Sequence, residues 1–148
     1  MNDPLVIVVD TREQTPWKFD GYPVRVKRAK LDTGDYSVHG FEDIFAIERK
    51  SLDDLVNTTV NGRDRFQDEL IRGNKLAEFD VYIESSKADL KAGNYYSQAH
   101  PNSIIGSINA WERTHSADFY FTGSRDAAEA RAYSQLFAWS NKYSHLFV

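Results

Sequence analysis

The sequence contains no cysteine, which removes disulfides and thiolate metal centres from consideration. A reducing compartment is compatible with this, and a cytoplasmic setting is the expectation. The longest apolar run, Leu5 to Val9, is far too short to cross a membrane. Met1-Asn2-Asp3-Pro4 has no basic n-region, so no secretion signal is expected. No Gly-rich phosphate loop occurs, which argues against a nucleotide cofactor. His39, His100, His115 and His145 are scattered without ligand spacing. Net positive charge is also lacking: the formal charge is −4. A domain held to nucleic acid by bulk charge alone is usually basic.

No repeat, low-complexity tract or Ser/Gly/Pro linker divides the 148 residues, whose length suits one domain (1–148) with one sizeable core. "LVIVVD" (5–10) reads as a strand buried on both faces. "YPVRVKRA" alternates and reads as a second strand. "DTGDYSV" and "DIFAIER" flank a turn-like "HGFE" and read as a hairpin. Ser51, with Asp53 and Asp54 behind it, starts a short helix that ends near Thr58-Thr59-Val60. Asn61-Gly62 is a turn. A helix over about 63–77 follows, with Phe66, Leu70 and Ile71 on its inner face. "FDVYIES" (79–85) is a strand, and 86–100 is the least regular stretch. Pro101 opens a helix to about Thr114 carrying Ile104, Ile105, Ile108 and Trp111. "DFYFTG" is the last strand. Ser124 caps a final helix with Ala128, Ala132, Leu136 and Trp139 on one face. Strands first, then strands alternating with helices, predict an α/β domain around one mixed sheet flanked by helices.

The chemistry gathers in the hairpin. Side chains two apart on a strand share a face. Glu48 and Lys50 therefore point one way and Arg49 the other. Folding the hairpin about "GFED" pairs Val38 with Phe45 and sets Asp35 across from Glu48, where Cβ atoms stand about 5 Å apart. Two carboxylates that close call for a cation between them. Oxygen ligands favour Mg²⁺ or Mn²⁺. Asp10 ends the apolar strand, where sites in open α/β sheets gather, and Arg12 and Glu13 follow it. Three carboxylates and a lysine suit metal-assisted phosphodiester hydrolysis. "RVKRAK" (25–30) reads either as a charged edge strand or as a strip facing phosphate. Its cations are Arg25, Lys27, Arg28 and Lys30.

Gly34-Asp35, then Glu48-Arg49-Lys50, three residues and Asp54 resembles the G-D…E-R-K-x-x-x-D signature of the XPF family of structure-specific DNA endonucleases. "VVDTRE", "NGRDRFQDEL", "VYIES" and the Ile104–Trp111 helix follow that family's order. The resemblance implies a restriction-endonuclease-like fold. It also implies Mg²⁺ or Mn²⁺ held by Asp10, Asp35, Glu48 and the Arg49 carbonyl, with Lys50 serving the attacking water. Arg12, Glu13, Arg49 and Asp54 are then supporting residues, although Asp54 also reads as an ordinary first-turn helix acid. Arg63 and Arg65 are expected either on phosphate or on a solvated helix. The implied substrate is branched DNA (flap, fork or junction) in repair, recombination or replication. A non-catalytic DNA-binding scaffold, or a Holliday-junction resolvase or nickase on the same fold, is the alternative. Family members commonly carry a tandem helix-hairpin-helix domain after the nuclease, and these residues hold none. A short stand-alone nuclease suits a prokaryotic or viral genome. The aromatic C-terminal segment (Tyr133, Phe137, Trp139, Tyr143, Phe147) reads as core or as a face for a homodimer or partner subunit.

Overall fold

Branched residues at Leu5–Val9 build β1 of a computed structural model that describes residues 3–147. Met1, Asn2 and Val148, with the expectations that touch them, lie outside the described residues. The strands that follow are β2 (Val24–Arg28), β3 (Tyr36–Val38) and β4 (Phe45–Lys50), then β5 (Glu78–Ile83) and β6 (Asp118–Phe121). They form one mixed sheet in the order β2-β1-β3-β4-β5-β6. Strand β1 runs parallel to β2 and antiparallel to β3, while β4, β5 and β6 run parallel. The helices are α1 (Leu52–Val60), α2 (Arg63–Gly73), α3 (Lys87–Lys91), α4 (Pro101–Thr114) and α5 (Arg125–Tyr143).

The two faces of the sheet carry separate cores. Ala46, Val81 and Ile83 pack on one side with Leu55, Phe66, Ile104 and Trp111 of α1, α2 and α4. Ile7, Val9, Tyr36, Phe45 and Ile47 pack on the other side with Ala128, Ala132, Leu136 and Trp139 of α5. The hairpin pairs Tyr36 with Ile47, the register expected from setting Val38 against Phe45. Ser51 caps α1 by accepting the Asp54 N–H, and Ser124 caps α5 by accepting the Ala127 N–H. The helix begins at Pro101 and ends at Thr114 as expected.

Three expectations are corrected. The hairpin strands are shorter than "DTGDYSV" and "DIFAIER", because the chain turns at Gly34 and enters β3 only at Tyr36. Helix α2 stops at Gly73 rather than near residue 77. Any side chain at Gly73 would overlap the Phe79 ring, and beyond it the Ala77 N–H donates to the Ile44 carbonyl, leading into β5. Ile71 is 52% exposed, since Phe66, Leu70 and Gly73 form the inner face. The stretch 86–100 holds the short α3, capped by Ser86. Of the C-terminal aromatics Trp139 is core, Tyr133 and Tyr143 pack against it, and Phe137 and Phe147 are exposed.

One buried acid taxes this fold. Asp80 on β5 pairs directly with Asp118 on β6 and points to the α5 side. Burial and the Asp118 charge push its carboxyl up from 3.8 to about 7, with Arg131 offsetting part of the effect. Above pH 3.8 the unfolded chain releases this proton more readily than the fold does. Stability is therefore whole below pH 3.8 and falls as pH climbs to about 7. Asp80→Asn is expected to stabilise the protein by roughly 2–4 kcal/mol at pH 8, at 1.36 kcal/mol per pKa unit. It should do little at pH 3.5. Urea midpoints at the two pH values check this, and an equal gain at both would refute it.

Candidate active site

The carboxylates meet where β3 begins and β4 ends. Gly34 has φ +79°, and an added Cβ would come within 2.8 Å of the Ala46 Cβ, so this turn admits glycine. It delivers Asp35, whose N–H donates to the Ile47 carbonyl at 2.8 Å. The Arg49 N–H in turn donates to Asp35 Oδ2 at 2.8 Å. Alternation along β4 puts Glu48 and Lys50 on the α1/α2 side of the sheet with Ala46. Asp35 and Glu48 are close enough to share a hydrogen bond. Lys50 Nζ lies 3.2 Å from Glu48 Oε2 and 4.6 Å from the Phe66 ring centroid.

Charge in this cluster is uneven. Burial pushes the Asp35 carboxyl well up, and the charges of Glu48 and Glu13 add to it. Burial works against Glu48 too, but the Lys50 ammonium together with hydrogen bonding to Glu69 and Asp35 holds it below the usual range. Burial opposes the Lys50 charge, yet Glu48 and Glu69 hold its ammonium up. Glu69 of α2 was missed in the sequence. It reaches within hydrogen-bonding distance of Glu48, its Oε1 is buried without a partner among the described residues, and burial and Glu48 push it up to about 9. The signal was there: an acid between Phe66 and Leu70, on the edge of an apolar helix face.

A second network holds the site from the α5 side of the sheet. Arg49 Nε donates to Glu13 Oε1 at 2.8 Å, and Nη1 donates to Glu84 Oε1 at 2.9 Å. Glu84 Oε2 accepts Trp17 Nε1 at 2.8 Å and lies 3.7 Å from Arg125. Trp17 stacks on Tyr36 and ties the loop after β1 to the hairpin. Glu84 was also missed, although it ends an apolar strand just as Asp10 does.

Asp10, expected as a metal ligand, is also bonded within the protein. It is buried and lines the cleft, and both oxygens accept hydrogen bonds. Oδ1 accepts the Leu31 N–H at 2.8 Å, and Oδ2 accepts Arg12 Nε at 2.7 Å. Burial opposes its charge, and the Arg12 guanidinium still holds its carboxyl below the usual range. Arg12 passes on to the Leu31 carbonyl, so Asp10 and Arg12 shape the 31–35 loop. Asp54 is exposed on the first turn of α1 and lines the cleft with Arg65. Arg63 is not brought to it. Its guanidinium is bonded to Ser107 Oγ at 2.8 Å and stacked on Trp111 of α4. Arg28 is pinned to the carbonyls of Thr11 and Glu13. Arg25 and Lys27 pair with Val6 and Val8 on the exposed edge strand and share the sheet face of Asp10.

The cleft has a volume of about 690 Å³. Its donors are all oxygens, which suits Mg²⁺ or Mn²⁺. Among the described residues no three acidic or imidazole side chains converge as a ready-made cage. Mg²⁺ is commonly held by one or two carboxylates with water. Asp35 and Glu48 provide that pair, and the Arg49 carbonyl lies on the strand edge that faces Asp35.

Residues 9–147 match the family model described as the ERCC4 domain. The chain belongs to the ERCC4 domain family. The chain has the fold of XPF from Aeropyrum pernix, with a TM-score of 0.74 at 16% identity over 95% of this chain and 68% of that one. A second structure, of XPF from Aeropyrum pernix in complex with DNA, matches with a TM-score of 0.70 at 19% identity. It covers 93% of this chain and 66% of that one. This is the restriction-endonuclease-like architecture expected from the signature. No curated protein matches the chain.

Proposed function

We propose that this ERCC4 domain is a divalent-metal-dependent endonuclease that hydrolyses phosphodiester bonds of DNA, at branched structures. The observation that carries the reading is the antiparallel register that sets Asp35 beside Glu48 and Lys50 on one wall of an open cleft. The DNA complex of an Aeropyrum pernix protein of the same fold supports DNA as the substrate. A divalent ion held by Asp35, Glu48 and the Arg49 carbonyl would polarise the scissile phosphate and acidify the attacking water. The chain's own part is positional and electrostatic. Glu48 stays ionised because Lys50 lies beside it. Lys50 keeps its proton and can stabilise charge that builds on the phosphate. Phe66 beneath the Lys50 ammonium restricts its wandering. The open cleft admits a strand rather than enclosing a small molecule.

The test is cleavage of labelled flap, fork, four-way junction, duplex and single-stranded DNA with Mg²⁺, Mn²⁺ or chelator. Cutting of branched DNA with either ion, and none with chelator, is expected. Binding of branched DNA with no cutting under any ion would replace this reading by the scaffold one. Equal cutting of every DNA would remove the branched-substrate part.

A further inference from the structure

We infer that the cleft continues as a phosphate track along α2, in which Arg72 and Lys75 hold the backbone of the DNA strand beyond the carboxylates. The inference rests on the nuclease reading above and adds where the strand runs. Arg65, Glu69 and Arg72 are spaced four and three residues apart on α2, and all three line the cleft. One helix face therefore presents a guanidinium on either side of the carboxylate that meets Glu48. Arg65 and Arg72 are separated by about 10 Å along the helix axis, at 1.5 Å per residue. The two guanidiniums can thus reach separate phosphates of one strand on either side of the carboxylate.

The track does not stop at Arg72. A second cavity of about 580 Å³ adjoins the first, and Arg12, Asp32 and Arg72 line both. Lys30 and Lys75 extend it, so four cations face the carboxylates of Asp32 and Asp43. This local excess stands out in a chain of net charge −4. Arg12 is held by Asp10 and the Leu31 carbonyl, but the other three are uncommitted. Arg28, Arg49, Arg63, Arg125 and Lys142 bind the protein's own carbonyls, hydroxyls or carboxylates. Lys30, Arg72 and Lys75 are exposed, and no side-chain hydrogen bond or ion pair holds them among the described residues. Cations left free beside a carboxylate site are what a polyanionic backbone requires.

The test is DNA binding in chelator, so that nothing is cut, by fluorescence anisotropy over a series of salt concentrations. Arg72→Gln and Lys75→Ala are each expected to lower the slope of log K against log salt by about 0.9, one phosphate contact each. The double variant should lose both contacts. Lys87→Ala with Lys91→Ala, on α3 outside both cavities, should leave the slope unchanged. Thermal melting confirms that each variant is folded, and Mn²⁺-dependent cleavage is measured on the same preparations. A double variant with wild-type slope and affinity, in a protein that cuts, overturns the track and leaves the nuclease reading standing. A wild type that binds with the expected slope difference but never cuts overturns the nuclease reading and supports the track.

Discussion

Lys50→Ala and Glu48→Gln are expected to lower the cleavage rate at saturating Mn²⁺ by about 10²–10³-fold each, the size seen when one preorganised electrostatic contact is removed. The two should fail differently. Glu48→Gln keeps shape but removes a charge from the carboxylate pair, so Mn²⁺ binding followed by calorimetry should weaken along with cleavage. Lys50→Ala leaves every carboxylate in place. It should still bind Mn²⁺, but it leaves Asp35, Glu48 and Glu69 facing one another with no ammonium among them. Glu48 is held ionised against its burial chiefly by Lys50. Without that ammonium its carboxyl rises, so the acid limb of residual activity should move to higher pH. Variants that both cut like wild type would remove Glu48 and Lys50 from the site. A Lys50→Ala protein that loses Mn²⁺ binding but keeps its pH profile would reassign the lysine to holding the carboxylates apart.

The hairpin was legible because two local rules agree. Strand period two sorts Glu48 and Lys50 from Arg49, and a short connection leaves one register, which Tyr36 and Ile47 adopt. The helix starts at Ser51, Pro101 and Ser124 were legible for the same reason, since capping is local chemistry. The end of α2 was not legible. It is set by Gly73 against the Phe79 ring, a contact that propensity does not contain. Arg63 looked free beside a turn, yet its partners Ser107 and Trp111 lie more than forty residues on. The surroundings of Asp10 were not legible either. An acid ending a buried strand does mark the site, but the sequence does not show that the Leu31 N–H and Arg12 already hold both of its oxygens. Glu84 follows the same rule at the end of β5 and is likewise bound by protein partners, Arg49 and Trp17. An acid at a strand end thus locates the cleft, and only its partners decide whether it is open to a ligand or part of the frame.

Arg49→Met is expected to destabilise the protein by about 3–5 kcal/mol, because breaking a buried ion pair leaves its partners uncompensated. The Arg49 side chain is 13% exposed and is shared by Glu13 and Glu84, themselves 13% and 7% exposed. For a chain of this size that loss lowers the melting temperature by roughly 10 °C. Arg49→Lys should recover little, since one ammonium cannot span two carboxylates as a guanidinium fork does. Adding Glu13→Gln and Glu84→Gln to Arg49→Met removes the stranded charges, and the triple variant should regain much of the stability. Activity measured well below the melting point should follow a different course. The Arg49 N–H fixes Asp35, and the guanidinium fixes the strand that carries that N–H. Loosening it should cost about 10–100-fold in cleavage or Mn²⁺ affinity, as for other groups that orient a ligand from behind. The triple variant would not recover this, because it restores neutrality without restoring the clamp. Stability that returns while activity does not is the signature of a positioning residue. A triple variant that regains both would make Arg49 a structural cation alone.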